Sequence, residues 1–208
     1  MMAPVFIHDI DAGDESEWRA FLAAHPFGEL VAGGGPDRRV PVVVPTQYVL
    51  DGDDVLVHLL ARNPVWDAIA ENPAVVLAVS GDWAFVPSSW KTIGEEDPRL
   101  GIPTTYYASV QLTGAVTVIE DPDGIAAVLR TQLRALQPDV TVVDPSEHGA
   151  RLRVIRALRL RVDDVRAKFK YGGNVDRDHR AAVLAHLAER DGPGDRAAAA
   201  HLERRLDR

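Results

Sequence analysis

The chain has 208 residues and a formal charge of −8, from 31 acids against 23 bases, with seven histidines and no cysteine. The absence of cysteine excludes disulfides, thiolate metal sites and a cysteine nucleophile, while an apolar fraction of 46% argues for a folded core. The acidic balance disfavours a general nucleic-acid binder, which needs a basic face to release counterions.

No apolar run approaches the roughly 20 residues that span a bilayer. Residues 1–11 lack the basic start and apolar core of a signal peptide. The expectation is a cytoplasmic protein with no membrane partner, folded as a single domain over residues 1–208 with a helical extension over 176–206.

Along the chain, Asp14 begins a capping box with Glu17, and Trp18, Phe21, Leu22 and His25 follow on one helical face until Pro26. A strand through Glu29–Ala32 ends at the Gly33-Gly34-Gly35-Pro36 cluster. Val42, Val44, Thr46, Tyr48 and Leu50 share one side of a long strand, with Pro41 and Pro45 pointing to an edge or bulge. Asp51 to Asp54 turns that strand into Val55–Leu60 as a hairpin.

Asn63 then caps a short helix, with Pro64 at its first position, where no amide proton is needed. Arg62 stands immediately before that helix N-terminus, a setting that favours an anion such as phosphate. Taken alone, Arg62-Asn63-Pro64 also reads as an ordinary helix start. Val75–Val79 is apolar on both faces, and Ser80-Gly81-Asp82 reads as a turn into Trp83–Val86. A polar loop through Gly94–Pro98 leads to a long strand, Thr104–Glu120. Asp121 and Pro122 then start a helix with an apolar stripe through Ile125, Val128, Leu129, Gln132, Leu133 and Leu136.

The last strand reverses its phase. Leu158, Leu160 and Val162 point inward before Asp163-Asp164, and Val165, Ala167, Phe169 and Tyr171 after it, which marks a β-bulge. Arg166, Lys168 and Lys170 then form an outward face, which reads either as solvated or as the cationic side of a ligand site. Two helices, Asp178–Arg190 and Asp195–Leu206, close the chain. Short strands linked by hairpins, with helices added, predict a mainly antiparallel β-barrel with added helices.

Few residues suggest chemistry of their own. No GxSxG, P-loop or GxGxxG string occurs. The histidines lack HxH or HExxH spacing, which makes a metal site unexpected, and His179 and His186 read as solvent-facing on a surface helix. With no evident acid–base pair, a cofactor must carry any reaction. Lys168 to Asn174 places two lysines before a glycine pair that lets backbone approach a charged ligand. Val86–Trp90 and Ile102–Tyr107 put hydroxyls beside aromatics, which suits a flat ring and suits a barrel core equally.

These segments resemble the PaiB family of FMN-binding split-barrel proteins, often labelled negative transcriptional regulators. The residues that carry the resemblance are His58, Arg62-Asn63-Pro64 and Trp66; Ser89-Trp90; Thr104 and Tyr107; and Lys168, Lys170 and Asn174. Against the family patterns, Arg62 directly precedes Asn63 with no residue between them, a central Trp-Asn pair is lost at Thr105-Tyr106, and Ser-Gln is replaced by Gly172-Gly173. The resemblance implies a split antiparallel barrel and a homodimer with FMN at the subunit interface.

In that reading Arg62, Lys168 and Lys170 neutralise the phosphate, helped by Asn63. His58, Ser89 and Thr104 make polar contacts, Trp90 and Tyr107 shape the ring pocket, and Asn174 belongs to the same set. The implied activity is that of a flavin-dependent oxidoreductase acting on a small-molecule substrate with an external reductant. One alternative is a ligand-sensing regulator, with the charge and the absence of a DNA-reading helix counting against direct DNA contact. Another is the same barrel with haem or a deazaflavin, for which His25 or His58 would be the haem ligand.

Overall fold

The computed structural model describes residues 5–206; residues 1–4 of the segment read for a leader lie outside them, as do residues 207 and 208. The strands are β1 (Phe27–Ala32), β2 (Val42–Gln47), β3 (Val49–Asp51), β4 (Asp54–Leu60), β5 (Ala74–Val86), β6 (Thr104–Ile119) and β7 (Ile155–Lys170). They form one seven-stranded sheet in the order β2-β1-β5-β6-β7-β4-β3. The helices are α1 (Glu15–Ala24), α2 (Val65–Glu71), α3 (Pro122–Leu136), α4 (Arg177–Arg190) and α5 (Asp195–Glu203). The pairings β1–β2, β1–β5, β3–β4 and β4–β7 are all antiparallel. Among the described residues, no helix is long and apolar enough to cross a membrane.

The chain packs as two compact units. The first comprises Arg19–Val79 and Gln111–Val165; the second comprises the residues up to Trp18, Ser80–Val110 and those from Arg166 onward.

In the first unit, β2 and β3 are the two ends of the strand order, yet only Tyr48 separates them in sequence. The expected long strand through Leu50 is therefore two pieces. Tyr48 N–H donates to the Pro26 carbonyl, and its buried hydroxyl lies 3.0 Å from Leu22 O and 2.8 Å from His25 O. Those bonds turn the chain from one edge of the sheet to the other. The proline-bearing β2 is an edge of the order, as Pro45 within it and Pro41 just before it predict.

Packing completes the unit. Asp121 caps α3 through Gly124 N–H at 2.7 Å, and the α3 stripe buries Ile125, Ala126 and Val128 against Val49, Leu56, Leu152 and Ala157. Gly114 on β6 is held by contact, since a Cβ there would collide with the Arg161 carbonyl oxygen of β7. The predicted phase reversal on β7 is present: Leu158 and Leu160 are buried, Asp163 and Asp164 are consecutively exposed, and Ala167 and Phe169 of the second unit are buried.

The second unit departs from the sequence pattern at two places. Ser80-Gly81-Asp82 is not a turn, because β5 continues through it with Asp82 at φ 51°. Tyr171 Oη donates to the Asp82 carbonyl at 2.9 Å, and the Asp82 carboxylate lies 2.8 Å from His201 Nε2 on α5. These long-range partners hold a residue whose local signal favours a turn. Lys168 is the other departure. It is buried rather than solvated, donates to the Phe6 carbonyl at 2.9 Å, and belongs to a bridge with Ala12. The N-terminal segment covers the face that alternation leaves outward.

Replacing Tyr48 with Phe keeps the ring and removes the donor to both carbonyls. The expected loss is about 1–3 kcal/mol of stability, the cost of leaving the His25 carbonyl without its donor, since Leu22 O keeps the His25 N–H. Urea unfolding of the variant checks this; an unchanged midpoint would mean the hydroxyl does not hold the strand junction.

Candidate functional site

The second unit contains a cavity of about 790 Å³, within the range of about 300–1,000 Å³ typical of small-molecule sites. Its wall includes Lys91, Thr104, Tyr106, Lys170, Asn174 and His179. Three of these, Thr104, Lys170 and Asn174, come from the expected site. β7 and β6 present the first pair: Lys170 Nζ donates to Thr104 Oγ1 at 2.7 Å. Asn174 follows the turn at Gly172, whose φ of 73° favours glycine and where a Cβ would come within 2.6 Å of Tyr106 Oη.

Lys91 is the residue that motif reasoning missed. It ends a 3-10 turn, Ser88–Lys91, that is fixed from two directions. Gly101 packs so closely on the Ser88 carbonyl that a side chain there would collide with it. Trp90 stacks on His186 of α4, with ring centroids 5.0 Å apart and planes 16° apart, and the Arg190 guanidinium lies 4.4 Å from the Trp90 ring centroid. Trp90, expected to shape a ring pocket, thus anchors the turn beneath α4. Burial, reinforced by the charge of Lys170, lowers the pKa of the Lys91 ammonium. Neither lysine makes an ion pair among the described residues.

The acids on the wall are differently placed. Asp97 is held by the Arg99 guanidinium, and Glu96 accepts from Ile93 N–H at 2.8 Å. Glu96 also lies 3.3 Å from His179 Nε2, while His179 Nδ1 lies 2.9 Å from Asp176. Asp176 first, then Glu96, raise the His179 pKa. His179 and His186 are therefore not the solvent-facing pair that helical spacing suggests. Asp11, buried at the end of the N-terminal 3-10 turn, is the remaining carboxylate on the wall. The Tyr106 hydroxyl is buried without a hydrogen-bond partner, and burial pushes its pKa up to about 12.

The other expected residues lie apart from this wall. Lys168 sits with its ammonium 5.8 Å from the Tyr107 ring centroid, and Ser89 is exposed on the Trp90 turn. His58, Arg62 and Asn63 belong to the first unit. There Asn63 Oδ1 accepts from Val65 N–H at 3.0 Å and begins α2, as its capping role predicts. Arg62 is exposed beside it and makes no ion pair among the described residues. His58 Nδ1 donates to Gln132 Oε1 at 2.6 Å, so one of its ring nitrogens is already committed within the fold. Among the described residues, no cluster of side chains is suited to a metal ion.

Residues 7–164 match a family model described as "Putative FMN-binding domain". The chain is 24% identical over 155 residues to the protease synthase and sporulation protein PAI 2 of Bacillus subtilis (strain 168), covering 72% of each chain. Its fold is similar to that of the flavocytochrome Anf3 from Azotobacter vinelandii, with a TM-score of 0.57, 23% identity, and coverage of 76% of this chain and 68% of that one. It is also similar to an FAD and heme binding protein from Mycobacterium smegmatis, with a TM-score of 0.61, 18% identity, and coverage of 84% and 80%.

The raised His179 pKa has a testable sign. Its ion pairs contribute fully below the ordinary histidine value of about 6.5 and are lost as pH rises through the raised folded value. An NMR titration of the His179 ring should give a midpoint above about 6.5, lowered in Glu96→Gln. A midpoint unshifted in the intact protein would mean the contacts to Asp176 and Glu96 do not persist in solution.

Proposed function

Because the chain belongs to the FMN-binding split-barrel family, we propose that it is a flavoprotein oxidoreductase whose FMN is received by the cavity of the second unit. The observation that carries this reading is the convergence of Thr104, Lys170 and Asn174, family-pattern residues from two stretches of sequence, on one cavity of about 790 Å³. The donor set fits the cofactor. An ammonium meets a phosphate, while a hydroxyl and a carboxamide satisfy polar atoms that would otherwise lose water. The flavin, when bound, supplies the hydride or electron transfer that no side chain of this protein is equipped to perform. The residues contribute binding, orientation and exclusion of water, and the cavity remainder accommodates a small-molecule substrate.

The roles of the remaining expected residues follow from their surroundings. Trp90 supports the flavin site by fixing Lys91 rather than by facing a ring. Lys168 and Tyr107 support it by holding the N-terminal segment that carries wall residues. Arg62, with its charge exposed, is a separate candidate for phosphate, and its own substitution decides its part. The working form in this reading is a homodimer. A net charge of −8 opposes a direct DNA surface and so favours catalysis over regulation by DNA contact.

The protein as purified should show flavin absorption, or acquire it at about one equivalent after incubation with FMN and desalting. Lys170→Ala should weaken FMN by about 1.5–3 kcal/mol, the scale of a hydrogen bond to a charged group. Fluorescence-quenching titration measures it, with Arg62→Ala in parallel. An affinity unchanged in Lys170→Ala would remove the cavity from the flavin site; a Soret band in place of flavin bands would replace FMN by haem.

A further inference from the structure

We propose that Lys91 and Lys170 together form a subsite for a phosphate monoester dianion, with Lys91 setting the preference for that doubly charged group. This deepens the flavoprotein reading and rests on it for the cavity's role. Lys91 lies outside the family-pattern residues and is placed by the 88–103 loop.

The chemistry of the wall selects the group. Lys170 gives one N–H to Thr104 Oγ1 and retains two, and Lys91 retains all three among the described residues. Two ammoniums sharing a cavity oppose each other, and a counter-charge between them relieves that opposition. Of the wall acids, Asp97 is met by Arg99 and Glu96 by His179 and Ile93 N–H, which leaves Asp11. Of the wall histidines, His179 is committed to Asp176 and Glu96, and His8 is the other. No arginine lines the cavity among the described residues. The wall therefore offers no bidentate fork, and its two ammoniums act as separate point charges, a mode in which lysine binds phosphate.

Position strengthens the case. The Trp90 stack and the Gly101 contact hold the turn bearing Lys91 before any ligand arrives, so little ordering remains to be done on binding. The lowered pKa of Lys91 agrees, since a dianion would restore what burial takes away.

The phosphate can belong to the cofactor or to a second ligand, and paired titrations separate the two. The full-length protein, Lys91→Met and Lys91→Arg are titrated with FMN and with riboflavin, which lacks the phosphate. If the phosphate is the cofactor's, Lys91→Met weakens FMN about 10- to 100-fold, as for a lost charged hydrogen bond. Riboflavin stays unchanged, Lys91→Arg recovers most of the loss, and Asp11→Asn tightens FMN.

If the phosphate belongs to a second ligand, FMN affinity is unchanged in Lys91→Met. Inorganic phosphate added to the FMN-loaded protein then broadens in phosphorus NMR with the native chain and not with the variant. Equal losses for FMN and riboflavin, or no response of either FMN or inorganic phosphate to Lys91→Met, overturns the subsite. Should the native chain bind neither flavin while its phosphate signal still depends on Lys91, the flavoprotein reading fails and the subsite stands.

Discussion

Tyr48 stands alone between β2 and β3, and those strands are the opposite ends of a seven-stranded order. A sheet whose edges are joined by one residue has no freedom to lie flat, so the first unit must curl until its edges approach. The cost of that curl falls on the backbone polar groups at the junction. Tyr48 meets it with one side chain, supplying a hydroxyl to carbonyls at the end of α1 while its amide bonds Pro26. Close approach does the rest. Gly114 allows β6 and β7 to pack at a distance that no side chain would permit, and the reversal at Asp163-Asp164 changes which face of β7 is buried.

A similar economy appears in the second unit, where one loop is made rigid by groups from the C-terminal helices. Polar loops with Gly and Pro are ordinarily mobile. Here the Trp90 ring is held by a histidine and an arginine of α4, and Glu96 is tied to His179 at the start of the same helix. α4 is in turn fixed to α5 by the Arg190–Asp195 pair, in which Asp195 is fully buried and also accepts from Gly192 N–H at 2.8 Å. Breaking a buried pair by removing one partner leaves a desolvated charge. The C-terminal helices are thus part of what gives the cavity its shape.

Much of the fold was legible because its signals are local. The Asp14 cap on Glu17 N–H, the Asp121 cap, the Asp51–Asp54 hairpin and the alternation on β6 depend on neighbours a few residues away, whereas the Glu17 carboxylate, expected to complete a capping box, pairs with Arg205 instead. The residues that misled are those whose partners lie far along the chain. Ser80-Gly81-Asp82 has the composition of a turn, but Tyr171 and His201 engage Asp82 and keep it in β5. Lys168 falls on the polar side of an alternating strand, and only the N-terminal segment lying over it reveals the face as covered.

The candidate site was legible to the same extent. Thr104, Lys170 and Asn174 could be found by motif and do share a cavity. Lys91 follows Trp90 directly, yet no periodicity assigns it a direction. His179 and His186 sit two turns apart on α4, a spacing that says nothing of the loop they pack against.

The charge distribution gives the cavity its character. A chain with 31 acids and 23 bases presents a field that repels anions at long range, so attraction to the cavity cannot come from the protein as a whole. It must come from contacts made within a few ångströms, after water has left, by ammoniums with which Asp11 alone of the wall acids is left to compete. Screening by salt weakens the distant repulsion at least as much as the enclosed attraction, because buried pairs are the less screened. An acidic surface around a small cationic cavity therefore discriminates by fit. An anion that cannot enter meets only repulsion, and one that reaches Lys91 and Lys170 finds two ammoniums that the fold has oriented, neither in an ion pair among the described residues.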